Sequence, residues 1–362
     1  MRIAIFAVVA ALTAIVPTAR TASPALSPAV FTVPGQLAGL AASGFRIAVA
    51  GATEEGCGVY TARLVAGREA SPIRVRAGAL PCATEFDAQV YDVWIGRSVV
   101  GAAVINSPSP HGDSYSNWQG SLPSGPLREY GPEYGWFDSS TPHAYGCVRK
   151  LVTGGGVVAA TDDPNRFGVD AGVDKNVACP GDGTTEVELT GAARRRVTVA
   201  GSWTVLATDG KRLVLSRLDP VGLPTGELEY VDLAGKPLPT PRVAPAVVKA
   251  AYRGWLAPEG LVLLTKRGLV APGWRLPDVV DATVAYGRVF YVRRRTVHVR
   301  RIRDGRDRPL VAVPTASQQP HAAAGSFGVA VAAEIPGPNR DSYRTSVYRI
   351  GWSTIDAILP AR

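Results

Sequence analysis

The sequence predicts an all-β fold of short antiparallel strands, and three observations point there. Apolar runs of strand length recur along the chain, and no helical period of usable length appears outside the N-terminal apolar segment. The 362 residues include 39 Gly and 29 Pro, which supply the turns that many short strands need. The phrase VTVAGSWTVLATDGKRLVLSRL, Val197–Leu218, reads as strand, Gly, strand, Asp209-Gly210 turn and strand, and looser copies of it recur. Asp-Gly between apolar runs signals a hairpin, because the tight primed turn needs positive φ at both central residues. At 46% hydrophobic content the chain has ample material for a buried core.

Taken in order, residues 1–22 read as a secretory signal peptide. Arg2 supplies the positive charge, Ile3–Val16 is uncharged and apolar, and small residues follow in PTARTASPA. Cleavage after Ala19, Ala22 or Ala25 fits equally. The apolar run is shorter than the roughly 20 residues of a membrane span, although an uncleaved anchor is the competing reading. No Cys follows the run, which disfavours a lipid anchor, and no later segment is apolar enough to span a membrane. Residues 23–34 are a linker or, through Val30–Val33, a closing strand. Residues 35–362 then form a single domain.

Within it the phrase can be followed by its glycines. Leu37–Ser43, Gly44 and Phe45–Ala50 are the first copy; Ala88–Ile95, Gly96 and Ser98–Ile105 the second; Cys147–Thr153, Gly154 and Val157–Thr161 the third. Val197–Ala200, Gly201 and Trp203–Thr208 are the fourth, and Ala246–Arg253, Gly254 and Trp255–Ala257 the fifth. Val279–Tyr286, Gly287 and Val289–Val292 are the sixth, and His321–Ala324, Gly325 and Phe327–Glu334 the seventh. The spacing is irregular, which argues against a solenoid stacked in strict register and suits blades that vary their loops. The phrases VTVAGSWTVLATDG, HAAAGSFGVAVAAE, LAASGFRIAVAG and VAYGRVFYVRRR resemble β-propeller blades. The resemblance covers nearly all of the mature chain but matches no subfamily: there is no WD ending, no kelch double Gly and no sialidase-type Asp box. It implies seven blades of four antiparallel strands, with six as the rival count because copies five and six are short. VTVA, VVKAAY and VVDATVAY are expected as inner strands, buried on both faces. The ring closes through Val30–Val33 or through Thr354–Leu359. A large sandwich or two β domains is the competing architecture.

Export makes Cys57, Cys82, Cys147 and Cys179 a disulfide-permissive set. The local pairs Cys57–Cys82 and Cys147–Cys179 are expected over metal binding, since there is no CxxC and no His at ligand spacing. The formal charge is +9, two units of which leave with Arg2 and Arg20. Arginines cluster at 194–196, 293–295 and 300–308. A basic exported surface suits anionic polymers; each cluster also reads as a solvated strand edge kept soluble by charge.

Three groups of residues invite a functional reading. Ser107–His143 is the least blade-like stretch, a long loop carrying His111, Asp113, Tyr115, Trp118, Tyr134, Trp136 and His143. Aromatics beside polar groups suit stacking on sugar rings or clamping a peptide; the bland alternative is a loop packing its own aromatics over hidden strands. Asp162, Asp163, Asp170 and Asp174 are oxygen donors dense enough to suggest Ca²⁺, but their spacing departs from the EF-hand and a solvated loop is the better reading. Asp92 in VYDVW and Asp281 in VVDATV are acids on inner strands that could converge on the axis, as paired carboxylates must for glycoside hydrolysis. No GxSxG appears, Gly154-Gly155-Gly156 precedes a strand rather than a phosphate-binding helix, and His298 reads as a solvent-facing strand residue.

The sequence therefore predicts an exported, disulfide-clipped, monomeric binding module without cofactor or metal. Its partner would be a glycan, a cell-wall polymer or a protein, not nucleic acid. The Ala, Gly and Arg bias suits a high-GC bacterial coding sequence. A carbohydrate-active hydrolase or lyase using axial acids, and a scaffold without a small-molecule site, are the alternatives.

Overall fold

The computed structural model describes residues 28–361 apart from 54–55, 66–67, 69, 76–88, 110–111, 124, 131–146, 165–182, 192–194, 221, 280, 315–319 and 339–341. The signal-peptide reading thus lies outside the described residues. No helix among them is long and apolar enough to cross a membrane.

The strands form seven four-stranded antiparallel sheets, the blades of a propeller. A leading strand, β1 (Phe31–Pro34), is set aside for the last blade. Blade 1 is β2 (Gln36–Ser43), β3 (Arg46–Thr53), β4 (Gly56–Arg63) and β5 (Ile73–Arg74). Blade 2 is β6 (Gln89–Ile95), β7 (Val99–Ser109), β8 (Gly112–Ser121) and β9 (Arg128–Glu129). Blade 3 is β10 (Cys147–Gly154), β11 (Val157–Pro164), β12 (Thr184–Thr190) and β13 (Arg195–Ala200). Blade 4 is β14 (Trp203–Thr208), β15 (Arg212–Leu218), β16 (Pro224–Asp232) and β17 (Pro237–Leu238). After a short helix, α1 (Pro245–Ala250), blade 5 is β18 (Ala251–Ala257), β19 (Gly260–Thr265), β20 (Gly268–Ala271) and β21 (Trp274–Pro277). Blade 6 is β22 (Ala282–Ala285), β23 (Arg288–Arg293), β24 (Thr296–Arg301) and β25 (Asp307–Ala312). Blade 7 takes β26 (His321–Gly325), β27 (Gly328–Pro336) and β28 (Tyr343–Ile350) from the C-terminal end and β1 as its outermost strand.

The core is distributed as seven apolar clusters, one at each junction between neighbouring blades. Strand alternation produces this arrangement, because successive side chains leave a blade on opposite faces. Leu213 and Leu215 join the junction of blades 3 and 4, while Val214 between them joins that of blades 4 and 5. Inner strands face neighbours on both sides, so WTVLAT of β14 is buried at every position, whereas RRVTVA of β13 alternates exposed and buried at the rim.

This contrast corrects the register read from the glycines. VTVA is the outermost strand of blade 3, and Gly201 joins two blades; the inner strand of blade 4 is β14, turning at Asp209-Gly210. In copy five, the run VVKAAY was expected as an inner strand. Pro245 at the first helical position converts most of it into α1, and Gly254 lies inside β18 rather than at its turn. Copies one, two, three, six and seven turn close to their glycines, as expected.

Closure uses the N-terminal alternative. Phe31 and Val33 of β1 pair with Val347 and Thr345 of β28, and both enter the cluster between blades 7 and 1. Thr354–Leu359 is not a strand. It lies in and beside α2 (Trp352–Ile358), where Ile355 and Leu359, one turn apart, fill the junction of blades 6 and 7. Arg288, buried in blade 6, donates to Asp356 and ties the helix down.

Candidate functional site

All seven inner strands run into a turn at the same end of the ring, and there they enclose an axial cavity of about 670 Å³. Its wall is largely backbone and small side chains: Ala41 and Gly44 from blade 1, Gly154–Gly156 from blade 3, Ala285 from blade 6 and Gly325 from blade 7. The triple Gly of blade 3 has a steric cause. A Cβ on Gly154 would sit 1.8 Å from the Thr208 carbonyl oxygen, so the turns of blades 3 and 4 can touch only without it.

Four charged side chains reach this wall: Arg46, Arg97, Asp209 and Arg253. Asp209 is internally satisfied. Its Oδ1 accepts from the Lys211 and Arg212 N–H groups (2.9 and 2.8 Å) and its Oδ2 from the Arg212 guanidinium (2.9 and 2.7 Å). Burial opposes its ionisation, but the guanidinium and the backbone donors prevail and hold its pKa below the usual carboxylate value.

Arg253 connects the cavity to a second group of charges near the first residues of the inner strands. Its Nη1 lies 3.7 Å from Asp281 Oδ1, and its guanidinium stands 5.3 Å from the Trp255 ring centre. Asp281 Oδ2 accepts the Ala322 N–H (3.3 Å) and lies 3.5 Å from His321 Nδ1. Asp92 accepts the Val93 N–H at 2.8 Å. Its side chain is exposed yet ringed by protein. That enclosure pushes its pKa up; Arg253, the Val93 N–H and His321 oppose the rise, and the Asp281 charge adds to it. The two sequence-predicted acids therefore act on one electrostatic centre. Asp92 and Arg253 each follow a β-bulge, a local extra residue that re-aims the next side chain.

Arg253 and His321 were missed as site residues. Counted back from the ends of the inner strands, Asp92 stands three residues in and Arg253, Asp281 and His321 four, which brings them to one level.

The aromatic stretch fares differently. Most described residues of Ser107–His143 are in strands: Asp113, Tyr115 and Trp118 belong to β8, a middle strand of blade 2, so this part is not a loop. Trp118 is half-buried, donates to Ser116 Oγ at 2.9 Å and packs against the junction of blades 1 and 2. His111, Tyr134, Trp136 and His143 lie outside the described residues.

Of the acidic group, Asp162 is gripped by Arg149, Nε to Oδ1 at 2.8 Å and Nη2 to Oδ2 at 3.0 Å. Arg149 also reaches Glu188 at 3.0 Å and lies over the Tyr130 ring of blade 2. Burial, followed by the Glu188 charge, pushes the Tyr130 hydroxyl up to about 12. Asp163 lies on β11, and Asp170 and Asp174 fall outside the described residues; no group of three metal-ligating side chains occurs among those described. Cys57 lies on β4 and Cys147 opens β10, while Cys82 and Cys179 are outside the described residues.

The basic clusters are of two kinds. Arg293, Arg294 and Arg295 are exposed at the β23–β24 turn, with φ of 47° at Arg294 and 63° at Arg295. Arg300 and Arg301 are structural: Arg300 lies 4.5 Å over the Trp274 ring, and buried Arg301 is bound to Asp304. His298 does not face solvent. It is half-buried, stacked on Tyr291 at 5.1 Å, with Nδ1 3.5 Å from Asp307.

No protein-family model matches the chain, and no curated protein sequence matches it. Similar solved structures include one described as a mitotic checkpoint complex, 14% identical over 97% of this chain and 99% of that one, with TM-score 0.47. The PQQ-bound aldose sugar dehydrogenase of Streptomyces coelicolor is 11% identical over 90% and 99%, with TM-score 0.38. A prolyl endopeptidase structure is 10% identical over 90% of this chain and 49% of that one, with TM-score 0.41.

Proposed function

We propose that the protein is an exported binding module whose ligand seat is the axial cavity. The carrying observation is the cavity itself, about 670 Å³ with walls drawn from every blade. That volume lies within the roughly 300–1,000 Å³ of small-molecule sites, and strand ends fixed by blade packing make its walls rigid. Arg253 gives it a polar anchor joined to Asp281, His321 and Asp92. The ligand classes in view are glycans and cell-wall polymer fragments. Isothermal titration of the mature protein against such fragments tests the reading. Arg253→Met should weaken binding at least tenfold, and Trp118→Ala should leave it unchanged. The opposite pattern would move the seat to the blade 2 aromatics.

A second reading, a carbohydrate-active hydrolase or lyase, is favoured by one observation: Asp92, with its raised pKa, shares a centre with Asp281 and His321. A carboxyl with a raised pKa beside a second carboxyl suits general acid and base roles. Release of reducing sugar that disappears in Asp92→Asn would establish it; binding without turnover in both proteins would remove it.

The disulfides remain as proposed, Cys57–Cys82 and Cys147–Cys179. Cys57 and Cys147 belong to blades 1 and 3, with blade 2 between them, which supports local pairing. Non-reducing peptide mapping should recover the two local pairs, and a Cys57–Cys147 peptide would refute them.

A further inference from the structure

The charges on the cavity wall are unbalanced. Arg46 and Arg97 enter from adjacent blades 1 and 2, and Arg253 enters from blade 5 on the other side of the ring. The one carboxylate of the wall, Asp209, is already neutralised by Arg212, from outside the cavity lining. Neither Arg46 nor Arg97 has a carboxylate partner among the described residues. The Arg97 side chain lies along the blade 3 turn: a Cβ on Gly156 would meet its Cβ at 3.4 Å and its Nε at 3.8 Å. Arg253 makes no side-chain hydrogen bond among the described residues, because 3.7 Å to Asp281 exceeds hydrogen-bond reach. Placed over the Trp255 ring, the planar guanidinium turns Nη1 towards Asp281 and leaves its other N–H groups to an acceptor in the cavity.

From this arrangement we infer that the cavity takes a small ligand with two anionic groups, one held by Arg46 and Arg97 at the turns and the other by Arg253. This rests on the axial cavity being the ligand seat. Carboxylates and phosphates offer the same acceptor geometry to guanidinium forks, so an acidic sugar and a phosphate-bearing polymer fragment are the two sources to separate. Asp92 and Asp281 stand close to Arg253 but off the cavity lining. They repel an anion there and so set how far it enters.

Titration calorimetry on the mature protein with digalacturonate, with glycerol 1-phosphate and inorganic pyrophosphate, and with neutral cellobiose tests the inference. Expected is binding of digalacturonate or of pyrophosphate, at least tenfold tighter than cellobiose and weakening as salt is raised. Arg253→Met and the double variant Arg46→Gln/Arg97→Gln should each lose about tenfold or more. Circular dichroism and an unchanged melting midpoint would show that these variants are folded. Digalacturonate binding alone identifies carboxylate as the source, and pyrophosphate binding alone identifies phosphate. Glycerol 1-phosphate, with one anionic group, should bind more weakly than pyrophosphate. Cellobiose binding that needs Arg253 but ignores salt and the double variant would overturn the anionic ligand and leave the axial seat standing. Acidic ligands that bind with equal affinity to all variants would overturn both. No binding of digalacturonate or of pyrophosphate at millimolar concentration would overturn the inference itself.

Discussion

Asp92 carries the clearest single-residue consequence. Its carboxyl titrates above the ordinary value because the protein ringing it disfavours the charged form, so the folded state resists its ionisation. The sign follows from proton uptake. Between the unfolded and folded pKa values the folded protein binds more protons, and stability falls as pH rises through that window. Asp92→Asn should therefore melt higher than the parent near pH 7. The difference should shrink to nothing as pH falls through the folded pKa towards about 4, the unfolded value. Scanning calorimetry of the two proteins across pH reads this directly; a variant that is less stable at neutral pH would mean that attraction to Arg253 outweighs enclosure.

At the scale of the strand and blade, β27 contains the most anomalous group. Glu334 is fully buried, and neither carboxylate oxygen has a hydrogen-bond partner among the described residues. By alternation it shares a face with Ala330 and Ala332, which pack into the junction of blades 7 and 1; its cross-strand neighbour Thr345 instead bonds the Gly35 carbonyl at 2.9 Å. A buried polar group left unpaired costs about 1–3 kcal/mol, so Glu334→Met should raise the urea midpoint by a corresponding amount. A lower midpoint would show that the carboxylate is needed at the seam.

The same scale shows what was legible in the sequence. Strand content, the propeller and the count of seven followed from recurring apolar runs and turn residues, which are local signals. Blade boundaries were not local. VTVA and WTVLAT are equally apolar, and only the neighbours they face distinguish a rim strand from an inner one. Ile355, Ala357 and Leu359 alternate as a strand would, while Ile355 and Leu359 also suit a helix; with the outer place of blade 7 taken by β1, the helix prevails. Asp92 and Asp281 could be singled out as acids in apolar strands. Arg253 and His321 could not, since what joins them to those acids is convergence from four blades.

Across the whole molecule, the seven junction clusters form an unbroken circle, and among the described residues no blade has a core of its own. Stability is then a property of the closed ring, and β1 is its fastener. Removing residues through Pro34 would bare the edge of β28 and take Phe31 and Val33 out of the last junction. The truncated protein should melt lower and self-associate through the open edge, as calorimetry and light scattering would report. A monomer with unchanged melting would show that α2 and blade 1 suffice to close the ring.

That fastener also sets a timetable. Thr32 meets Ser346 across 314 positions of chain. Synthesis delivers β1 before every other strand of the ring and β28 after them, so the first strand waits for all seven blades. Contacts of such separation must recover the entropy of a very long loop before they contribute. Blades can form one after another as they emerge, but the final junction is an encounter between the two ends of the molecule. Refolding should accordingly show an early rise in sheet signal and a later step in which the ring locks. Until that step, blade 7 carries an unpaired edge that any neighbouring chain can fill.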